Sequence, residues 1–404
     1  MKMKWIYKLT AVISSAALVA VSCTGLGGNA DDGMTIESTV LIYMAADNNL
    51  GSYALDDIDE IMDGDVPYYF NEGSGKVLLV YADIRGETPK LIRISKDAYG
   101  TVNQEVLMEY EPQNSISDSV MRSVLSYAAD LFPSGKNGLV LWSHGTGWLP
   151  SGYYSDPYSA EGMIAPMSVT EDPHAAFVKS FGQDSEADEE MDIKDLAAAL
   201  PIRYSYILTD ACLMGGVEVA YELRDCCDYF IASAAEVLAG GFPYDEVTGY
   251  LMDGGTVALQ EACRLFYEHY KTSGATIAIV NTEGLGRLAE VSRGIFLSTR
   301  PTQTSVDRDS LQVYFRGNRP WFYDLEDYVR QLDPPGEMLA GFTNALEQAV
   351  VYRISTDNFV IGNTNYFPIK TFSGLSTYVP NPENSVLNEY YRTLAWNEAV
   401  MMVE

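Results

Sequence analysis

Short apolar runs alternate with stretches of helical spacing along the first half of the chain. Thr39–Met44 (TVLIYM), Lys76–Ala82 (KVLLVYA), Gly138–Trp142 (GLVLW) and Tyr204–Leu208 (YSYIL) have the pattern of strands buried on both faces. Helices are predicted between them. Residues 52–63 carry Tyr53, Leu55, Ile58, Ile61 and Met62 near helical spacing. Residues 117–132 start at Ser117-Asp118 and turn Val120, Val124, Leu125, Ala128 and Leu131 to one side. Residues 90–95 and 104–110 read as an antiparallel pair around Gly100. A short helix over 191–200 stops at Pro201, and a helix over 216–225 and a strand at 229–234 come after the fourth run. Further on, the pattern predicts helices near 257–271, 284–297 and 385–400, with strands near 276–281 and 372–378.

Buried strands alternating with helices imply an α/β fold with a mostly parallel sheet. Such sheets bind ligands beyond the carboxyl ends of their strands. Two reactive side chains stand just past predicted strand ends: His144 after GLVLW and Cys212 after the run that starts at Tyr204. Cysteine attack on an amide needs a thiolate, a proton shuttle for the leaving amine, and donors for the oxyanion. Cys212 precedes a predicted helix, whose N-terminus favours the thiolate. His144 supplies the shuttle, and the amides of Gly145 and Cys212 are the candidate oxyanion donors. A lone cysteine is more often an inert small hydrophobe. It is the pairing at equivalent strand ends, in a chain with three histidines, that points to hydrolysis. His174 and His269 read as surface or structural residues. Trp142 and Trp148 flank His144 and either wall a cleft or pack the core. Asp56, Asp57, Asp59, Asp63 and Asp65 look metal-like, but the interleaved Ile58, Ile61 and Met62 place them on an exposed helix face and end.

Four phrases in order resemble the clostripain family of cysteine peptidases: VLIYMAADNNL (40–50), LVLWSHGTGW (139–148), ILTDACLMGGVEVAYEL (207–223) and GGFPYD (240–245). The resemblance is firm over residues 38–250 and loose beyond. It implies a caspase-like three-layer sandwich, shared with gingipains and legumains, plus a C-terminal α+β region. It carries the family's His-Gly onto His144-Gly145, its nucleophile onto Cys212, and its S1-pocket acid onto Asp210. It also implies a His/Cys dyad cleaving after Arg or Lys, with no cofactor required. A carboxylate in the pocket suits a guanidinium; the competing reading of Asp210 is a cap on the next helix. Relatives mature by self-cleavage after a basic residue between His and Cys, where Lys179 is the sole Lys or Arg before Lys194. Some relatives need Ca2+, and the acidic run 184–190 offers carboxylates, but it fits no EF-hand and reads as a solvated loop. The rivals are a non-catalytic peptide-binding lipoprotein on the same fold, or a peptidase of different P1 preference.

Charge and the N-terminus set the compartment. A formal net charge of −30 argues against nucleic acid as a partner; it would attract basic protein or peptide substrates, but on charge alone it reads first as an aid to solubility. Lys2, Lys4 and Lys8 precede an apolar run, Leu9–Val21, too short for a stable bilayer anchor. Ala20-Val21-Ser22-Cys23 then resembles a lipoprotein signal, with Ala20 where Leu is usual; plain secretion is the alternative. This divides the chain into a signal peptide (1–22), a tether (23–38), a catalytic domain (39–255) and a C-terminal region completing the peptidase (256–404). Cys23 is the lipidation site, so the expected location is the cell envelope, with membrane contact only through that anchor. Loss of residues 1–22 removes three Lys and takes the charge from −30 to −33. The chain is expected to be a monomer. Of the remaining cysteines, either Cys226 or Cys227 could pair with Cys263. No C-x-x-C pattern occurs and histidines are few, which argues against zinc.

Overall fold

The computed structural model describes residues 35–69, 75–153, 181–184, 189–303, 305–314, 321–361 and 365–404. Nine strands form one central sheet: β1 (Ser38–Ala46), β2 (Lys76–Ile84), β3 (Lys90–Lys96), β4 (Val102–Glu109), β5 (Lys136–Trp142), β6 (Tyr204–Asp210), β7 (Cys227–Ala232), β8 (Thr276–Asn281) and β9 (Val350–Ser355). Their spatial order is β9-β8-β7-β6-β5-β1-β2-β3-β4. The five inner strands β2, β1, β5, β6 and β7 run parallel. Antiparallel strands extend both edges. The β3–β4 hairpin turns at Gly100 (φ +83°), where Asp97 Oδ1 accepts from the amides of Tyr99 and Thr101.

Successive residues of a strand face opposite sides, and the sheet has a core on each face. Leu41, Tyr43, Leu139, Leu141, Ile207 and Phe230 face one side. There they meet α2 (Asp118–Leu131), α3 (Ile193–Ala199), α4 (Val217–Glu222), α7 (Leu285–Ser298), α8 (Leu325–Gln331), α9 (Gly336–Ala349), α10 (Ser385–Tyr391) and α11 (Ala395–Val400). Val40, Ile42, Met44, Val140, Leu208 and Ile231 face α1 (Gly51–Asp63), α5 (Tyr244–Asp253) and α6 (Thr256–Tyr270). This is a three-layer α/β sandwich. The composition change at residues 253–255 does not interrupt it, because β8 pairs with β7 in the same sheet.

Several predicted elements differ. The strand expected over 372–378 shrinks to Ser376–Thr377, because Gly374 turns the backbone to φ +95°. The helix expected over 385–400 is two helices, broken where fully buried Leu394 takes an extended conformation. In α2, Leu131 is exposed and Met121 is buried in its place. Three helices, α5, α8 and α9, and edge strand β9 went unread. The signals for α8 and α9 are present. Asp324 Oδ1 caps α8 by accepting from the Asp327 amide, and α9 buries Phe342, Ala345, Leu346 and Ala349 at helical spacing.

Candidate active site

β5 and β6 pair in register up to Trp142 opposite Asp210, and both chains then leave the sheet at the same rim. His144 and Cys212 each lie two residues beyond that last pair. The two turns pack backbone to backbone. A Cβ on Gly145 would fall 2.5 Å from Cys212 O and 3.2 Å from Cys212 N, so only glycine permits this approach. Gly147 (φ +60°) comes as close to Leu213, where an added Cβ would lie 2.5 Å from the carbonyl oxygen. Leu213 itself holds φ +63°, a strained conformation for a branched residue; full burial and its amide bond to Ala235 O (2.8 Å) hold it there.

His144 is buried, and its Nε2 lies 2.7 Å from Asn49 Oδ1. Asn49 sits in the turn between β1 and α1, within the phrase 40–50, and sequence reasoning gave it no role. With Oδ1 accepting from Nε2–H, Asn49 fixes the orientation of the ring through that nitrogen. On the reading that His144 shuttles the proton, Asn49→Ala is expected to lower kcat about tenfold with little change in KM, because the ring loses the bond that orients it. Steady-state kinetics across pH checks this, and an unchanged kcat would dismiss the role.

Cys212 is half-buried. The Val237 amide donates to Sγ at 3.3 Å, and Sγ lies 3.4 Å from Val237 O. The following helix begins only at Val217 and is six residues long, so its first turn lies past the thiol. That corrects the expectation of a helix N-terminus at the sulfur: the nearby amide comes from the segment after β7 instead.

Asp210 ends β6 beneath the cysteine. Its Oδ2 accepts from the Phe242 amide (3.0 Å) and the Tyr244 hydroxyl (2.9 Å), both in the GGFPYD phrase. The N-cap of the helix after Cys212 is Gly216, so Asp210 does not cap it. Asp57 overturns its expected exposure. It is buried, and its Oδ2 accepts from Trp142 Nε1 at 2.7 Å. A Cβ on Gly241 would lie 2.7 Å from Asp210 Oδ2 and 3.1 Å from Asp57 Oδ2, so the two carboxylates face one spot. Glu60 joins them by accepting from the Tyr244 amide (3.1 Å). Burial pushes the Asp210 carboxyl up to about 6. Burial, then the Asp210 charge, pushes Asp57 up to about 8.

Trp142 and Trp148 both pack the core, on opposite faces of the sheet. Cys226, Cys227 and Cys263 are free thiols; Cys227 and Cys263 lie in the two different cores, with the sheet between them. His269 is exposed and packs edge-on against Tyr270. Cys23, Lys179, His174 and residues 185–188 of the acidic run lie outside the described residues. Among the described residues, no group of three His, Cys, Asp or Glu side chains is placed to hold a metal ion, and no helix is long and apolar enough to cross a membrane.

Known proteins agree with this architecture. The sequence profile of the clostripain family matches residues 42–162 and 168–291. Clostripain of Hathewaya histolytica is 24% identical over 274 residues, 62% of this chain; the chain spans about half (48%) of that protein's length. An inactive zymogen C11 protease from Parabacteroides distasonis is 32% identical, with a TM-score of 0.76, covering 91% of this chain and 98% of its own. A secreted C11 cysteine protease from Bacteroides thetaiotaomicron, solved with an irreversible peptide inhibitor, is 29% identical with a TM-score of 0.75, covering 90% and 98%. With more than half of its length matched by that profile, the chain belongs to the clostripain family of cysteine peptidases.

Proposed function

We propose that this chain is a cysteine endopeptidase that cleaves after Arg or Lys with a His144/Cys212 dyad. The observation that carries the reading is the docking of the two turns through Gly145 at one rim of the sheet. In this mechanism the Cys212 thiolate attacks the scissile carbonyl, and the amides of Gly145 and Cys212 receive the oxyanion. His144 protonates the leaving amine and then activates water to release the acyl group. Asp210 receives the basic P1 side chain from beneath the nucleophile. Strands β8 and β9 belong to the sheet, which supports treating residues 256–404 as part of the peptidase rather than an appendage. Fluorogenic peptides with Arg, Lys, Asp or neutral P1, assayed with and without Ca2+, test the reading. Cleavage confined to non-basic P1 would replace the preference and keep the chemistry; no cleavage together with no labelling of Cys212 by a basic chloromethylketone would remove both.

We also propose that Cys23 is acylated and anchors the chain to the cell envelope. Cys23→Ala is expected to move the protein from the membrane fraction to the soluble fraction of the producing cells. Membrane recovery equal to that of the unaltered chain, measured by fractionation, would overturn the anchor.

A further inference from the structure

Glu218 lies in the short helix after Cys212, six positions past the thiol, and is fully buried. A carboxylate in such a place costs several kcal/mol unless polar groups surround it. Three donors converge on its Oε1: Thr377 Oγ1 (2.8 Å), the Tyr378 amide (2.9 Å) and the Tyr391 hydroxyl (2.6 Å). All three come from the C-terminal region, some 160 residues away and beyond the stretch of firm family resemblance. The same segment runs beside the nucleophile turn itself. Ser376 pairs with Gly216, and the Ser376 amide donates to Gly215 O at 2.9 Å. On its other side the turn is closed by the strand exit, since a Cβ on Gly215 would fall 2.6 Å from Ala234 N.

The two tyrosines that embrace Glu218 also hold the histidine turn. Trp148, four residues past His144, packs its ring against Tyr378 at 4.9 Å and against Tyr391 at 5.2 Å. One cluster therefore joins the turn of Cys212, the turn of His144 and the C-terminal segment. We infer that Glu218 is a positioning residue for the proposed dyad: by gathering Thr377, Tyr378 and Tyr391 it fixes where the Cys212 turn sits against the His144 turn. It touches no reacting atom, and the inference rests on the dyad reading above.

The test compares Glu218→Ala, Glu218→Gln and Tyr391→Phe in the full chain. Glutamine keeps an acceptor for the three donors; alanine removes it; phenylalanine removes one donor and leaves the ring packed on Trp148. The first readout is residue-resolved alkylation of Cys212 by iodoacetamide across pH, with half-buried Cys226 as the internal reference. The second is kcat and KM on a basic-P1 peptide. Alanine is expected to change the Cys212 alkylation rate about fivefold or more relative to Cys226, and to lower kcat at least tenfold while KM stays within about threefold. Glutamine should recover most of both, and Tyr391→Phe should fall between. Should the alanine variant fail to fold, the Tyr391→Phe and Glu218→Gln comparison carries the decision. Wild-type alkylation and kcat in Tyr391→Phe and in any folded Glu218 variant would overturn the inference. If the unaltered chain neither hydrolyses a peptide nor is labelled at Cys212 by the basic chloromethylketone, the dyad reading falls, while the alkylation contrast still decides whether Glu218 positions Cys212.

Discussion

Cys212→Ala is expected to lower kcat/KM for peptides by roughly 10⁴-fold or more, because in the proposed mechanism the thiol is the group that forms the acyl bond. Gly145 packs against the backbone of Cys212, and the backbone bonds Leu213 N–H to Ala235 O and Gly215 N–H to Ser233 O hold the turn, so losing the Sγ contacts to Val237 should leave it in place. Alanine should accordingly fold with little change in Tm, and loss of activity without loss of structure identifies the thiol as the reagent. His144→Ala is expected to cost a similar factor but to leave a thiol that still accepts iodoacetamide. The cysteine variant also decides self-processing. If Lys179 is a self-cleavage site, the unaltered chain becomes two pieces on storage and Cys212→Ala stays whole; a Cys212→Ala chain still cut after Lys179 assigns that cut to another peptidase. Retained hydrolysis by Cys212→Ala, beyond what a trace contaminant supplies, would end the proposed mechanism.

The inner strands were legible because a strand covered on both faces must be apolar throughout, and four such runs stand out in the sequence. The placement of His144 and Cys212 followed from that alone: in a parallel sheet, equivalent strand ends share a rim. Elements at the margins were harder to read. Edge strand β9 has one buried and several half-exposed residues and follows α9 with no breaker between them, so nothing in the sequence punctuates it. The face of α1 was misread for a chemical reason. Tyr53 and Leu55 offered apolar surface and are exposed at 40% and 43%, whereas Asp57 is buried at 2%. A carboxylate goes inward there because Trp142 Nε1, 85 residues away in sequence, supplies its hydrogen bond. Asn49 stayed hidden for the same cause. Its partner is 95 residues distant, and a pair of polar residues that far apart leaves no periodic trace in one sequence.

Asp210→Asn is expected to lower kcat/KM for Arg and Lys P1 peptides by about 10²–10³-fold and to leave neutral P1 peptides within a few-fold, since removing one partner of a desolvated charge pair costs on the order of 3–4 kcal/mol. Asparagine keeps an acceptor for the Phe242 amide and the Tyr244 hydroxyl, so the recess should keep its shape. The pH dependence follows from where the two protons sit. Asp210 titrates at about 6, so below that pH it is neutral and KM for a basic P1 should rise, while KM for a neutral P1 should not. Asp57 loses its proton only near 8, adding a second negative charge that favours a bound cation further. Without substrate the same charges oppose folding. Both groups are held above the ordinary 3.8, so between that pH and about 8 the folded chain retains protons the unfolded chain has released. Stability must fall as pH rises through that window. Asp57→Asn cannot ionise and still accepts from Trp142. It should melt several degrees higher than the unaltered chain at about pH 9 and no higher at about pH 4. Equal losses on basic and neutral P1 peptides in Asp210→Asn would show that P1 is read elsewhere, and a melting difference for Asp57→Asn that ignores pH would show that ionisation of Asp57 does not set the stability.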